Sequence, residues 1–365
     1  MSMVPAGEPR WIIPVSRMNF DVVVVGGGSA GCAVAGAFGA GTRRSVCLIE
    51  AGPDYGRRGS GRWPREILNP RQRPRTHDWS YVAENVDGVV PEPRARIIGG
   101  CSAHNQCAIV RPSPEDCAGW GWEAAELVEV GREIERRVPT APYADEDLAF
   151  WQRAFLEAAV AAGIRRVADV GDPAGPDGVA PFHANVREDV RWNAAFAFLD
   201  PVRGHPNVTV LSDTLVDRLE IEGRRAVTLS CLEGDRVLEI TARLFVLCAG
   251  TYGSPAILLR SGVGPKRDLD ALGIPVRVER AGVGLNLHDH PGVALEYEPS
   301  AAARALVAVE LAERRLYQSQ VLLRARSSSA GDRADVHVAP YQAPTESGDW
   351  QSHLLVFNWR RALAA

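Results

Sequence analysis

Residues 20–31 read FDVVVVGGGSAG, and the rest of the chain is ordered around this stretch. A short, wholly apolar run ending in glycines is what a parallel strand buried on both faces requires. The spacing Gly26-x-Gly28-x-x-Gly31 opens directly into the small, helix-compatible residues 29–40, and residues 45–50 form a second apolar run. Together they predict a βαβ unit. Gly26 permits the tight turn, Gly28 lets the backbone approach a pyrophosphate, and Gly31 lets helix and strand pack closely. Ser29 and Ala30 occupy the first turn of the helix, whose free N–H groups and positive dipole suit phosphate. Glu50 ends the second run 19 residues after Gly31, where a carboxylate accepts hydrogen bonds from an adenosine ribose and repels a 2′-phosphate. The stretch predicts a dinucleotide site without choosing between FAD and NAD.

Composition narrows the setting. The 365 residues are 46% apolar and 24% charged with a net charge of −4, which gives no electrostatic footprint for nucleic acid or an anionic membrane. Lys266 is the only lysine, so the positive charge is nearly all arginine, a sign of GC-rich coding. No apolar run approaches the roughly 20 residues of a membrane helix, and Trp11-Ile12-Ile13, preceded by Glu8, is too short for a signal-peptide core. The seven scattered cysteines contain no CxxC pair and predict buried free thiols in a reducing compartment. A cytoplasmic protein whose fold starts near Met18 is expected.

Farther along, residues 53–76 form an Arg-, Pro- and Gly-rich surface excursion, and helical patterns occupy 123–137, 147–162 and 192–199. Residues 171–178, GDPAGPDG, suggest a domain crossing. Four runs, 207–211, 215–221, 226–232 and 237–242, predict a small antiparallel meander, and 244–249 predicts another buried strand. Beyond Pro299 the pattern changes to alternating strands at 319–325, 334–339 and 353–357.

Residues 96–116, RIIGGCSAHNQCAIVRPSPED, resemble the first signature of the glucose–methanol–choline (GMC) oxidoreductases through Gly99, Gly100, Cys101, Ser102 and Asn105. Residues 250–264, GTYGSPAILLRSGVG, match the second signature, residues 282–291, GVGLNLHDHP, resemble the turn that follows it, and residues 78–81, DWSY, resemble an element placed near the flavin. The resemblance implies an α/β protein: a Rossmann-like FAD-binding domain and a discontinuous, here incomplete, antiparallel-sheet substrate domain. It divides the chain into an extension (1–17), FAD-binding parts (18–149 and 190–297) and substrate parts (150–189 and 298–365). Its implied function is hydride transfer from an alcohol to flavin N5, with a small-molecule alcohol as substrate.

The implied cofactor contacts are Gly26, Gly28, Ser29, Ala30, Gly31 and Glu50 for the ADP half. Trp79, Gly99, Gly100, Ser102, His104, Asn105, Gln106, Cys107 and Ala108 would lie along the isoalloxazine. Val216 would meet the adenine through its backbone, and Ala249 and Gly250 would pass beneath the cofactor. GGCSAHN is similar to the choline-oxidase-like branch, in which this histidine is covalently joined to the flavin; a packed, non-covalent His104 is the alternative. His288-Asp289-His290 could suggest a metal, but the family turn accounts for them better. The remaining histidines are expected at the surface or in satisfied core positions. Gln318 and Gln320 share a strand face and are read either as substrate contacts or as solvent-facing.

The family's base is a histidine in a C-terminal segment, and no part of this sequence matches that segment. No catalytic base is therefore assigned, and strands 334–339 and 353–357 are expected to carry unpaired edges. Three readings stay open: an alcohol dehydrogenase or oxidase, an FAD-binding fragment without turnover, and a hydroxynitrile lyase on the same fold.

Overall fold

The computed structural model describes residues 15–85, 88–313, 316–328, 330, 334–344 and 350–358; Trp11-Ile12-Ile13 lies outside them. The chain forms two compact units. One takes the chain through Asp54, with Arg96–Ile98 and Val202–Leu285; the other takes Tyr55–Ala95, Gly99–Pro201 and the chain from Asn286.

The first unit is built on a six-stranded sheet. Its order is Val208–Leu211, Val46–Ile49, Val15–Val25, Arg236–Leu247, Arg225–Glu233, Leu215–Glu222. The first four strands run parallel and the last three form the antiparallel meander. Val22 to Val25 and Val46 to Ile49 are at most 2% exposed, as expected for strands covered on both faces. The helix Ser29–Gly41 crosses between them, completing the βαβ unit.

Three sequence expectations change here. The first strand begins at Val15, three residues ahead of Met18. Residues 208–211 leave the meander and pair in parallel register with Val46–Ile49, where they form a half-buried edge strand. Residues 237–242 and 244–249 pattern as two strands, yet Arg236–Leu247 is one. The intervening Arg243 does not break it, because the side chain is 83% exposed and lies 3.7 Å from Asp21 on the neighbouring strand.

The second unit centres on a five-stranded antiparallel sheet. Its order is Gly292–Tyr297, Trp350–Asn358, Val336–Pro344, Val321–Ala325, Gly178–Pro181. Alternation sends successive side chains to the two faces of the sheet. Val179 and Val321 pack on Leu156 and Ala159 of the helix Phe150–Ala161. Ala180, Leu322 and Ala339 pack on Cys107, Val170 and Ala184.

The strands expected to have free edges are both interior: Val336–Pro344 and Trp350–Asn358 each pair on two sides. Residues 292–297, which directly follow the turn at 282–291, supply the missing neighbour. A further helix, Ala301–Ala312, was missed although its signals are present: an alanine-rich run and a Ser300 hydroxyl that accepts from Ala303 N at 3.2 Å.

Two segments read as surface loops are held by buried arginines. Residues 171–178 stay within this unit, where Arg324, 7% exposed, donates to the carbonyls of Val170, Asp172, Gly175 and Pro176. The excursion at 53–76 buries Trp63 and Ile67, and Trp63 meets Phe196 edge-on at 4.8 Å.

Candidate functional site

In the first unit the glycine loop has no room for larger residues. Gly26 has φ +96°, and a Cβ there would lie 2.5 Å from the Cys248 carbonyl oxygen and 2.8 Å from Ala249 Cα. A Cβ on Gly31 would lie 1.8 Å from the Gly26 carbonyl oxygen. Gly28 caps the helix with no side-chain bond to the first turn, while Ser29 and Ala30 are exposed. The first-turn N–H groups, which lack intrahelical partners, therefore stay available to an anion.

Glu50 has a role that sequence reasoning missed. It is 7% exposed and accepts from Gly27 N at 2.7 Å and Gly52 N at 2.8 Å, so it ties the glycine loop to the end of its own strand. Burial raises its pKa, against the two N–H groups and Arg96, which lower it. Each carboxylate oxygen keeps a second lone pair for a ribose hydroxyl. Ala249 N donates to Ser254 Oγ at 3.0 Å, and Gly250 opens the helix Gly250–Arg260 with φ +80°. Val216 stands apart in the outermost meander strand. Its side chain is buried, and its carbonyl accepts from Arg260 at 3.4 Å.

In the second unit the segment 99–108 is a tight, internally bonded turn. Gly99 and Gly100 both have positive φ, and a Cβ on Gly99 would lie 3.1 Å from Asn193 Oδ1. Ser102 Oγ donates to Gly99 O at 2.6 Å and accepts from Ala194 N at 2.8 Å. Asn105 Oδ1 accepts from Cys107 N at 3.1 Å, Gln106 bonds Tyr341, and Ala108 bridges to Ala184. Trp79 stacks on Tyr81, ring centroids 5.7 Å apart and nearly parallel.

His104 lies inside this turn. It is 4% exposed, and neither ring nitrogen has a hydrogen-bond partner. Burial holds its pKa down at about 4, with the Arg191 and Arg73 cations acting in the same direction and Asp78 opposing them. The imidazole is neutral at physiological pH. Arg191, 1% exposed, donates to the carbonyls of Ala103, Ile67, Asn69 and Gln72 and so clips the 53–76 excursion to the His104 turn. No pattern in the sequence marks that arginine. Asn193 did leave a signal, as the N-cap type before AAFAF; its Oδ1 accepts from Ala195 N and Phe196 N.

Other candidates resolve into structure. Gln318 Oε1 accepts from Arg73 N, and Gln320 bonds Ala149 N and Asp147 O. Both are buried, so neither faces solvent and both serve the backbone. His288, Asp289 and His290 are exposed, with Asp289 accepting from His290 N and lying 3.4 Å from Arg94. Five cysteines are buried, Cys101 is exposed and Cys248 is half-buried; all are free thiols. No described helix is long and apolar enough to cross a membrane.

Each unit by itself offers a fit to FAD. The first has a glycine turn too tight for a Cβ, leading into a helix start whose first-turn N–H groups lack intrahelical partners. The second has a buried imidazole whose nitrogens have no hydrogen-bond partner. The chain belongs to the GMC oxidoreductase family, whose model matches residues 20–292. It is thus a member of an FAD-binding oxidoreductase family with an α/β fold.

Among its relatives is mitochondrial choline dehydrogenase of Mus musculus, 31% identical over 90% of this chain and 59% of that protein. Another is 5-(hydroxymethyl)furfural oxidase of Methylovorus sp., 32% identical over 78% of this chain and 60% of that protein. The chain thus spans less than two thirds of these relatives' length. Pyridoxine 4-oxidase from Mesorbium loti has a similar structure, with TM-score 0.77 and 28% identity, covering 92% of this chain and 71% of that one.

Proposed function

We propose that the chain binds FAD and serves the oxidation of an alcohol, with His104 as a covalent anchor for the flavin. Bound FAD would supply the acceptor for hydride leaving the carbinol carbon. Residues 26–31 and Glu50 would hold the ADP half, and residues 99–108 with Trp79 the isoalloxazine. Residues 18–149 and 190–291 would serve the cofactor, and 150–189 and 298–365 the substrate, joined by residues 292–297, which pair with the substrate-side sheet.

The observation that carries this reading is the His104 imidazole: buried, neutral and unbonded at both nitrogens. A polar ring buried without partners costs free energy unless a ligand completes it. A neutral imidazole keeps a lone pair for bond formation, which an imidazolium lacks. The relatives named above, two of which are oxidases by name, support an alcohol as substrate.

Two measurements test this. Denatured protein run on a gel should keep flavin fluorescence, and His104→Ala should lose it; release of all flavin by acid precipitation would refute the covalent link. Under anaerobic conditions, choline, 5-(hydroxymethyl)furfural and pyridoxine should be offered to the FAD-loaded chain. Bleaching of the oxidised flavin band by at least one supports alcohol oxidation, and a silent panel counts against it.

A further inference from the structure

The antiparallel sheet of the second unit has one side that packs on the helix Phe150–Ala161 and one that packs on Cys107. On the helix side polar groups serve the backbone: Gln152 accepts from Gln320 N and Val321 N and donates to the Pro340 carbonyl. The other side differs. Glu296, His353 and Tyr341 stand directly opposite one another on three adjacent strands, so their side chains share one face in a row.

The His353 side chain is 12% exposed, and its Nδ1 lies 3.9 Å from the Glu296 carboxylate, beyond hydrogen-bond length. The His353 and Tyr341 rings are 6.3 Å apart. Tyr341 is tied to Gln106, within the turn that carries His104. Ala339 and Phe357, on the same face, pack against Cys107 of that turn. The row is therefore built onto the segment assigned to the flavin ring. Beside these apolar contacts stand a nearly buried imidazole and a half-buried phenol, with the Glu296 carboxylate 68% exposed at the edge strand; the His353 Nδ1 has no hydrogen-bond partner.

We propose that Tyr341 and His353 contact the alcohol substrate and determine its specificity, with Glu296 as a positioning residue for His353. This rests on the function proposed above. An imidazole and a phenol side by side offer a donor and an acceptor to a polar substituent of the alcohol, and their ring faces offer apolar contact to its carbon frame.

The test uses the FAD-loaded full chain and equilibrium dialysis of choline, 5-(hydroxymethyl)furfural and pyridoxine. Tyr341→Phe and His353→Asn should each raise the Kd of whichever alcohol binds by roughly five- to tenfold, the loss of about one hydrogen bond. Glu296→Gln should raise it less. Ser352→Ala, on the helix side of the same strand as His353, should leave it unchanged. Thermal midpoints of all variants near the wild-type value separate lost contacts from lost folding. If an alcohol is turned over, KM should rise with kcat nearly constant.

The proposal is overturned if Kd is unchanged in both Tyr341→Phe and His353→Asn, if Ser352→Ala weakens binding equally, or if the wild type binds none of the three. Binding that depends on Tyr341 and His353 without flavin bleaching would sink the oxidation reading and leave this one standing. Bleaching with unchanged Kd would do the reverse.

Discussion

Glu50 and His104 are buried polar residues of opposite kinds. Glu50 is doubly bonded by backbone N–H groups, so Gln is not a conservative replacement: its amide would face one N–H with another donor. Glu50→Gln should destabilise the chain by about 1–3 kcal/mol and weaken FAD uptake, read by chemical denaturation and by flavin stoichiometry after gel filtration.

His104 shares its shifted titration with His337, whose burial, with Arg324 and His290 nearby, also holds its pKa at about 4. An unfolded histidine titrates near 6.5. Between those values the unfolded chain binds more protons than the folded one. The stability from keeping both rings neutral is therefore present above about pH 6.5 and lost as pH falls toward 4. Urea midpoints measured from pH 7 to pH 4 should fall more steeply for wild type than for the His104→Asn/His337→Asn double variant.

Among the larger elements, the excursion at 53–76 and the turn at 99–108 depend on one guanidinium. Arg191 meets four carbonyls from two loops, which suits a planar fork with five donors and not a point-charge ammonium. Arg191→Met should cost roughly 2–4 kcal/mol, and Arg191→Lys most of that. The 53–76 segment should become the first site of limited proteolysis. If Arg191→Lys restores wild-type stability and protease resistance, the clip is electrostatic and owes nothing to the fork. The outer strand Gly292–Tyr297, exposed along its length, takes its place at the sheet edge by pairing with Trp350–Asn358, far along the chain.

For the molecule as a whole, cofactor and stability should be linked. FAD at about 100 times its Kd adds roughly 2.7 kcal/mol to the folded state, so thermal unfolding should move up with added FAD. Gly31→Ala should abolish the shift, because its Cβ would fall 1.8 Å from the Gly26 carbonyl oxygen. With the His104 bond formed, the shift should persist after exhaustive dialysis.

The glycine loop, Glu50 and the run of small residues after them were legible because local constraints dictate them: a positive φ, a close backbone approach and an unbroken apolar strand each leave a mark at a fixed spacing. The signatures around Gly99 and Gly250 were legible for the same reason. What only the tertiary structure decided were pairings made across long sequence separations. Residues 208–211 joined the parallel edge, residues 292–297 completed an antiparallel sheet, and Arg191 and Arg324 each found four carbonyls. Strand partners and buried cations are chosen by which unsatisfied backbone groups the fold brings near. That choice leaves no period or motif in the residues that make it, so Glu296, His353 and Tyr341 became a row only when their strands paired.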